Sequence, residues 1–363
     1  MTPAPLGPLA AFTDNWIGNG FNVIFRPNGK KSPTGPFPVR PVGPYESVLE
    51  LNLTSETLSF APKLVSIPNR GFGTQEDIFL NGVPYVQSIN DITTLPARCI
   101  HFEPGIWLSI PAPTTPRECV TLARMASIPH GTTINAQGTF TSKVGIPLIA
   151  AVDITPFNAR GVRAPAGTYP SLIATKQNTF RLPQNLAPFI AAGTITQRML
   201  NDPNTVLRDQ IANQNISETV TIDISTTPAA PLVGGGLANI AFPAPADGLG
   251  SNAQAVLLKA TFWIETVIYK VEVPPMRAGD APLALCPVQT NPPVPLVPSF
   301  LVAIPFVEGK RFAGGTITMS TTQIQYSQEV ILNFDGMSWP HISVATLVPA
   351  NPIPVPVSLL SLT

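Results

Sequence analysis

Three histidines, His101, His130 and His341, are the side chains of this sequence best suited to hold a metal or to transfer a proton. His341 lies in the segment 338–348, where residues alternate between two faces. If its face points into an apolar cavity, we expect the imidazole beside an indole, where it can ligate haem iron or exchange a proton. The alternative is a half-buried histidine bonded to backbone or water. The face that carries His341 consists of Trp339, His341, Ser343, Ala345 and Leu347.

A second candidate is the pair formed by His101 and Glu103, which share one predicted strand face with Cys99. A neighbouring carboxylate raises the pKa of an imidazole, so this pair can act as a proton-transfer unit. On an outer face the same two residues would form only a solvated pair. The spacing alone leaves both interpretations open.

His130 lies between Pro129 and Gly131, which predicts a turn at a rim. There it either contacts or gates a ligand, or simply caps the turn. The sequence contains no HxH, HExxH, GxSxG, P-loop or GxGxxG pattern, and its three cysteines form no CxxC. These absences give little support to a protein-ligated metal centre, a serine hydrolase or a nucleotide site.

Arg124 stands among apolar neighbours in the segment 121–127. A buried arginine needs an anionic partner, which would be a protein carboxylate or the carboxylate of a bound fatty acid or haem propionate. Aromatic residues on strands belong to the core, but in a barrel the core and the cavity wall are one surface. The candidate ligand contacts are therefore Trp16, Trp107, Trp339, Tyr326, His130 and Arg124.

Charged residues make up 12% of the chain, and the formal net charge is zero. An average globular domain has about 25% charged residues. A chain without a basic face is not expected to bind nucleic acid or anionic lipid. Because little charge repulsion opposes contact between copies, we expect a homo-oligomer.

Alternating strand-like segments dominate the sequence, and Asp335-Gly336 predicts a tight hairpin turn between two of them. Neighbouring strands without βαβ alternation predict an all-β fold, a single antiparallel up-and-down barrel of about ten strands over residues 1–363. The predicted strands are 16–26, a hairpin over 46–60 with a polar turn at 54–56, 83–90, 97–110, 118–127, 132–142, 219–226, 253–273, 315–334 and 338–348.

Three insertions interrupt this pattern at 27–44, 143–215 and 274–313. The 43 prolines predict long, stiff connections, so the first and third insertions are expected to be Pro-rich loops. Asp202-Pro203 predicts the start of a helix. The insertion 143–215 is therefore expected to contain short helices and is a candidate lid over a barrel mouth.

The first residues lack the basic and apolar stretches of a secretory signal. The sequence contains no uninterrupted apolar run of about 18 residues, so no membrane span is expected. These features predict a cytoplasmic protein.

Trp16-Ile-Gly18-Asn-Gly20 and the segment 339–347, with its histidine, stand at the two ends of the predicted barrel. The first resembles the W-x-G-x-G pattern on the opening strand of calycin barrels, which include lipocalins, fatty-acid-binding proteins and nitrobindin-like haem-binding barrels. The second is most similar to the nitrobindin group, and the resemblance implies that His341 is the proximal haem ligand. The resemblance does not extend to the three insertions.

These observations favour a protein that binds a small hydrophobic ligand inside the barrel, with haem as the leading candidate and His341 as its axial ligand. An enzyme without a cofactor is the alternative. It would isomerise, cyclise or eliminate on an apolar substrate, with His341 or the His101–Glu103 pair as general acid or base. A structural or self-assembling protein is a further alternative.

Overall fold

Ten long strands form a closed antiparallel barrel in which each strand pairs with the next along the chain, and the last pairs with the first. The structure is a computed structural model that describes residues 6–28, 37, 39, 47–230, 232, 234–239, 253–291, 294–304 and 310–362. The all-β, up-and-down prediction is confirmed. The barrel strands are β1 (Asn15–Pro27), β2 (Ser47–Phe60), β3 (Ile78–Asp91), β4 (Arg98–Ile110), β5 (Thr121–Ser127), β6 (Thr132–Val144), β7 (Asn215–Ser225), β8 (Gln254–Val273), β9 (Gly315–Phe334) and β10 (Met337–Pro349).

Shorter elements decorate the barrel. The helices are α1 (Ala187–Ala192), α2 (Gln197–Asn201) and α3 (Thr205–Ile211), with 3-10 turns at Gly7–Ala11, Pro170–Leu172 and Val357–Leu359. The short strands are Leu64–Asn69, Phe157–Asn158, Arg181–Leu182, Gly236–Asn239, Met276–Arg277, Leu283–Leu285, Phe300–Val302, Arg311–Phe312 and Ile353–Pro354.

The hairpin predicted over 46–60 is wrong, because Ser47–Phe60 is one continuous strand. The polar residues Thr54 and Glu56 suggested a turn, but both are buried on the same face as Leu58 and Phe60. That face lines the barrel interior, whose middle is polar. Thr54 and Glu56 therefore indicate a polar region of the lumen and not a turn of the chain.

Glycines let β1 approach β10 closely enough to close the barrel. A Cβ atom on Gly20 would lie 2.1 Å from the carbonyl oxygen of Val344, and one on Gly18 would lie 2.6 Å from that of Thr346. Such distances lie far inside van der Waals contact, so only glycine fits at either position.

The tight turn predicted between the last two strands is present. Asp335 and Gly336 both have positive φ angles, of 49° and 66°. Two consecutive positive φ angles are typical of the primed turns that match the twist of a hairpin.

The inner core fills one end of the barrel. Leu9 and Phe12, from the N-terminal 3-10 turn, are buried in it, and the Phe12 ring stacks on Phe60 at 4.9 Å. Phe12 also meets Trp107 edge-on at 5.5 Å. The N-terminal segment therefore closes this end with apolar side chains, each of which contributes roughly 1.5–3 kcal/mol by its burial.

A second core lies outside the barrel wall. The outward side chains of β1, β2, β8, β9 and β10 are covered there by the helical insertion and the Pro-rich segment. Ile195, Leu200 and Leu207 come from the insertion, and Phe300 and Val302 come from the Pro-rich segment. The insertion thus packs on the outer wall, and its role as a lid stays a prediction.

Most of the predicted loop 27–44 lies outside the described residues. Among the residues that are described, no helix combines the length and the apolar character needed to cross a membrane.

Candidate functional site

The antiparallel order of the strands brings all three histidines to one end of the barrel. His101 lies at the start of β4, His130 in the turn between β5 and β6, and His341 near the start of β10. Because successive strands run in opposite directions, even-numbered strands start, and odd-numbered strands end, at the end of the barrel opposite the start of β1. All three histidines therefore lie at that end. This end, which we call the histidine end, therefore faces away from the apolar plug formed by Leu9 and Phe12.

The three imidazoles form a cluster. The rings of His101 and His130 meet edge to face, with centroids 5.4 Å apart. Burial lowers the pKa of His341 to about 3, and the nearby charges of His101 and His130 act in the same direction. Burial and the charge of His101 also lower the pKa of His130. These surroundings favour the neutral form of His130 and His341, and His341 is neutral at pH 7.

Asn22 fixes the tautomer of His341. The Asn22 amide Nδ2 donates to Nε2 of His341 at 2.7 Å and to the Ser343 hydroxyl at 2.8 Å. The amide orientation is consistent, because Asn52 Nδ2 donates to the Asn22 carbonyl oxygen at 3.2 Å. Since Nε2 accepts a hydrogen bond, the proton of the neutral ring is on Nδ1. The described hydrogen bonds give that Nδ1–H no acceptor, so it is available to a ligand.

Glu103 faces inward and is 0% exposed. The sequence left open that His101 and Glu103 form a solvated pair on the outer face, and the structure excludes that alternative. The Nε2–H of His101 donates to Glu103 Oε2 at 3.1 Å, and Arg124 Nη2 donates to Oε1 at 2.5 Å. The Tyr85 hydroxyl also donates to Oε1. Burial acts to raise the pKa of Glu103, but the Arg124 charge and these hydrogen bonds outweigh it and lower the pKa to about 2. Glu103 is therefore a weak base.

Arg124 finds its anionic partner within the protein. Besides Glu103, its guanidinium donates to the Tyr85 hydroxyl at 2.8 Å and to Gln328 Oε1 at 2.7 Å. It also lies 5.4 Å from the centroid of the Phe262 ring and 5.8 Å from that of Trp107. Because its charge is balanced and each of its three nitrogens donates a hydrogen bond, Arg124 does not require the carboxylate of a ligand.

A second carboxyl in the lumen, Glu56, was not predicted as a site residue. It is 2% exposed, and its two oxygens accept hydrogen bonds from Gln87 Nε2 at 2.6 Å and from the Tyr326 hydroxyl at 2.8 Å. Burial raises the pKa of Glu56 to about 7, although both hydrogen bonds act to lower it. The lumen thus contains two carboxyls of opposite character.

The tryptophans are divided between the two cores. Trp16 and Trp107 are buried in the inner core, as expected for lumen residues. Trp339 belongs to the outer core instead, where its ring stacks on Phe334 at 4.7 Å and meets Tyr169 of the insertion at 5.5 Å. It is therefore not beside His341 in the lumen. It lies near the end of its strand, where the insertion offers an aromatic surface.

Haem does not fit at His341 as the side chains stand. Iron ligation needs a nitrogen lone pair, but Nε2 accepts the hydrogen bond from Asn22 and Nδ1 carries the proton. Among the described residues, no group of three or more His, Cys, Asp or Glu side chains is arranged to hold a metal ion. The haem assignment stays a prediction that requires Asn22 to release Nε2.

No family model matches the sequence, and no curated protein matches it. Among solved structures, the crystal structure of Rv2717c from M. tuberculosis matches at a TM-score of 0.36 with 12% identity, over 96% of this chain and 99% of that chain. Similarity at this level carries no argument about the site. The calycin and nitrobindin resemblance therefore stays a prediction.

The lumen residues missed from the sequence share a recognisable feature. Glu56, Gln87, Asn22 and Asn52 are polar residues at inward positions of otherwise apolar alternating strands. Once the inward face of each strand is known, such residues can be found by their period of two. The sequence did not reveal which of them bond to one another, because the partners lie on different strands.

Proposed function

We propose that this chain binds a small, uncharged, largely apolar molecule in the lumen at the histidine end of the barrel. The observation that carries the proposal is the convergence of its three histidines, from β4, the β5–β6 turn and β10, on the end away from the apolar plug. Concave sites that combine apolar walls with a few convergent polar groups are typical ligand sites.

The charge balance of the lumen favours an uncharged ligand. Arg124 is paired with Glu103 at 2.5 Å, and burial keeps His341 neutral. An anion would enter without a free positive partner and would lose its hydration. A hydroxyl or carbonyl oxygen, in contrast, can accept the Nδ1–H of His341.

Histidine NMR tests this proposal, because a chain with three histidines gives few signals to resolve. The protein labelled with ¹⁵N-histidine is titrated with 1-naphthol, which is uncharged, and with decanoate, which is anionic. We expect 1-naphthol to shift the signals of all three rings and decanoate to shift them less. His341→Phe keeps an aromatic ring but removes the donor, so naphthol should bind about fivefold more weakly, as one hydrogen bond contributes roughly 1 kcal/mol. If neither compound moves a histidine signal, the proposal fails.

Haem is tested separately by absorption. Because Nε2 of His341 accepts from Asn22, we expect added haem to give no Soret band that depends on His341. If the wild type shows a Soret band that His341→Ala lacks, the ligand is haem bound through His341, and the proposal of an uncharged apolar ligand is wrong.

Acid–base catalysis is a second candidate function, and the two unlike carboxyls of the lumen favour it. Groups whose surroundings separate their pKa values mark acid and base assignments in known enzymes. With a pKa near 7, Glu56 suits proton transfer at neutral pH better than Glu103.

Deuterium exchange at the α-carbon of 2-tetralone, followed by NMR, measures this activity. We expect the wild-type protein to accelerate exchange and Glu56→Gln to lose at least tenfold of the acceleration, in the range usual for one proton-transfer group. Glu265→Gln is the matched control, because Glu265 is equally buried but lies outside the barrel wall. Equal rates in the two variants would exclude Glu56 as the proton-transfer group.

A further inference from the structure

A cavity of about 460 Å³ lies outside the barrel, where β8 extends past the start of β7 and the Pro-rich segment crosses it. Its apolar wall is formed by Val267, Val288, Val294 and Val297. This volume falls within the range of roughly 300–1,000 Å³ that is typical of small-molecule sites. The segment that roofs it is held in place, since the backbone N–H of Val288 donates to the Lys270 carbonyl at 2.8 Å.

Tyr269 supplies a hydroxyl with an unused donor in this cavity. The side chain is 7% exposed, and its oxygen accepts a long hydrogen bond of 3.4 Å from Gln214 Nε2. Within the described part of the chain, no acceptor is recorded for the hydroxyl proton. Burial raises the pKa of Tyr269, and the charge of nearby Glu265 acts in the same direction, so the proton is retained. A buried donor without an acceptor is costly unless a bound molecule supplies one.

A buried carboxyl stands behind Gln214. The amide of Gln323 exchanges two hydrogen bonds of 2.9 Å with Gln214 and donates to Glu265 Oε2 at 2.6 Å. Glu265 is 0% exposed, and its other oxygen, Oε1, has no partner among the described residues. Burial raises the pKa of Glu265 to about 8, against the hydrogen bond from Gln323, so the carboxyl is mostly neutral at pH 7.

The cavity wall is mostly apolar, with amide side chains such as Gln214, Asn215 and Gln289 at its edges, and none of its described, buried lining residues is charged. Among its described lining residues Lys270 is the one that carries a charge, and it is exposed. We propose that this cavity is a second binding site, for an uncharged apolar molecule whose carbonyl oxygen accepts the Tyr269 hydroxyl proton. A ketone, ester or amide of moderate size belongs to this class.

This site is independent of the histidine end. Val267 and Tyr269 belong to the outer core, on the opposite side of the barrel wall from the lumen residues of β8. Occupancy of one site therefore does not require the other, and the two can be tested separately.

Benzophenone is a suitable probe, because it is uncharged and apolar, carries one carbonyl oxygen, and crosslinks to nearby C–H groups under ultraviolet light. The full chain is irradiated with benzophenone, and the labelled peptides are identified by mass spectrometry. We expect saturable labelling at the described lining residues within 267–270, 287–290 and 294–297. Benzophenone-4-carboxylate, which carries a charge, should label these segments at least tenfold less.

Two pairs of variants make the test specific. Val288→Trp fills the cavity and should abolish this labelling, whereas Val65→Trp, at a valine that is equally 50% exposed but lies elsewhere, should leave it unchanged. Tyr269→Phe should weaken binding about five- to tenfold, and Tyr169→Phe, which removes a hydroxyl elsewhere in the outer core, should not.

Equal labelling in the two tryptophan variants, or labelling spread evenly over the surface, would overturn the proposal. His341→Phe should not alter this labelling, which distinguishes it from binding in the lumen.

Discussion

At the scale of single residues, the ion pair between Arg124 and Glu103 organises the middle of the lumen. Both side chains are almost completely buried, and each is the charge partner of the other at 2.5 Å. Removing one partner of a buried pair leaves an uncompensated charge, which typically costs 3–5 kcal/mol, whereas removing both can cost much less.

A double-mutant cycle measures this dependence. Arg124→Met and Glu103→Gln should each lower the free energy of unfolding by about 3–5 kcal/mol at pH 7. The double variant should lose less stability than the sum of the two single losses, by at least about 2 kcal/mol, because it leaves neither charge without its partner. Urea denaturation of the four proteins gives the coupling energy. Additive losses would show that the two side chains stabilise the barrel through packing rather than as a pair.

Residue chemistry was only partly predictable from the sequence. The apolar neighbours of Arg124 suggested a buried arginine, and the side chain is 3% exposed. Its partner could not be chosen from the sequence, since β4 and β5 had no known register. In the structure, Trp107 of β4 lies opposite Arg124. Glu103 lies earlier on the same strand and on the same inward face. Likewise, the sequence left open whether the face of His341 points inward, and it could not show that Asn22, 319 positions away in the chain, occupies its Nε2.

At the scale of elements, closure of the barrel depends on the contact between β1 and β10. Gly18 and Gly20 of the opening motif permit this contact, because a Cβ atom at either position would collide with a backbone oxygen of β10. The hairpin predicted over 46–60, in contrast, is wrong. Local polarity at Thr54 and Glu56 carried more weight in the prediction than the continuing period of two.

Gly20→Ala tests the close approach. Its Cβ would lie 2.1 Å from the backbone oxygen of Val344, which cannot rotate away, so the strands must separate. We expect a loss of at least about 3 kcal/mol in the free energy of unfolding, or no folding at all. Gly131→Ala is the matched control, since its nearest neighbour, a Cγ2 atom of Ile128, would lie at 3.7 Å, which is ordinary contact. If thermal unfolding shows similar melting temperatures for the two variants, the closure argument is wrong.

At the scale of the whole molecule, two cores share one barrel wall, and each contains a buried carboxyl with a raised pKa. Glu56 lies inside the wall and Glu265 outside it. Their surroundings arise from strand alternation, which sends neighbouring residues to opposite cores. The sequence predicted the inner core, but not the outer one, because an up-and-down barrel by itself leaves its outer wall in water.

This arrangement predicts that the protein becomes less stable as the pH rises from mildly acidic values. Burial raises the folded-state pKa of Glu56 to about 7 and that of Glu265 to about 8, above the usual 4.5. Both carboxyls are neutral in either state well below pH 4.5. Above that pH the unfolded chain loses these protons first, so stability falls until the pH reaches the folded-state pKa, about 7 for Glu56 and about 8 for Glu265, and the loss is complete above it. The loss is at most about 3 kcal/mol for Glu56 and about 5 kcal/mol for Glu265.

Two other groups lower stability on the acidic side. His341 and Glu103 have lowered pKa values in the folded state, so the unfolded chain binds protons first. Stability therefore falls as the pH drops below about 6.5 for His341 and below about 4.5 for Glu103.

Urea denaturation between pH 4 and pH 9 measures these contributions, and stability should be greatest near pH 4.5–5. Glu265→Gln removes one titrating group, so its stability relative to wild type should increase between pH 5 and pH 9 by several kcal/mol. Glu76→Gln, at an exposed glutamate, serves as the control and should follow the wild-type profile. A constant difference between Glu265→Gln and wild type across this range would mean that Glu265 is ionised in the folded protein. A buried charge would then stand behind Gln214, next to the outer cavity, and an uncharged ligand would no longer be the class that suits it.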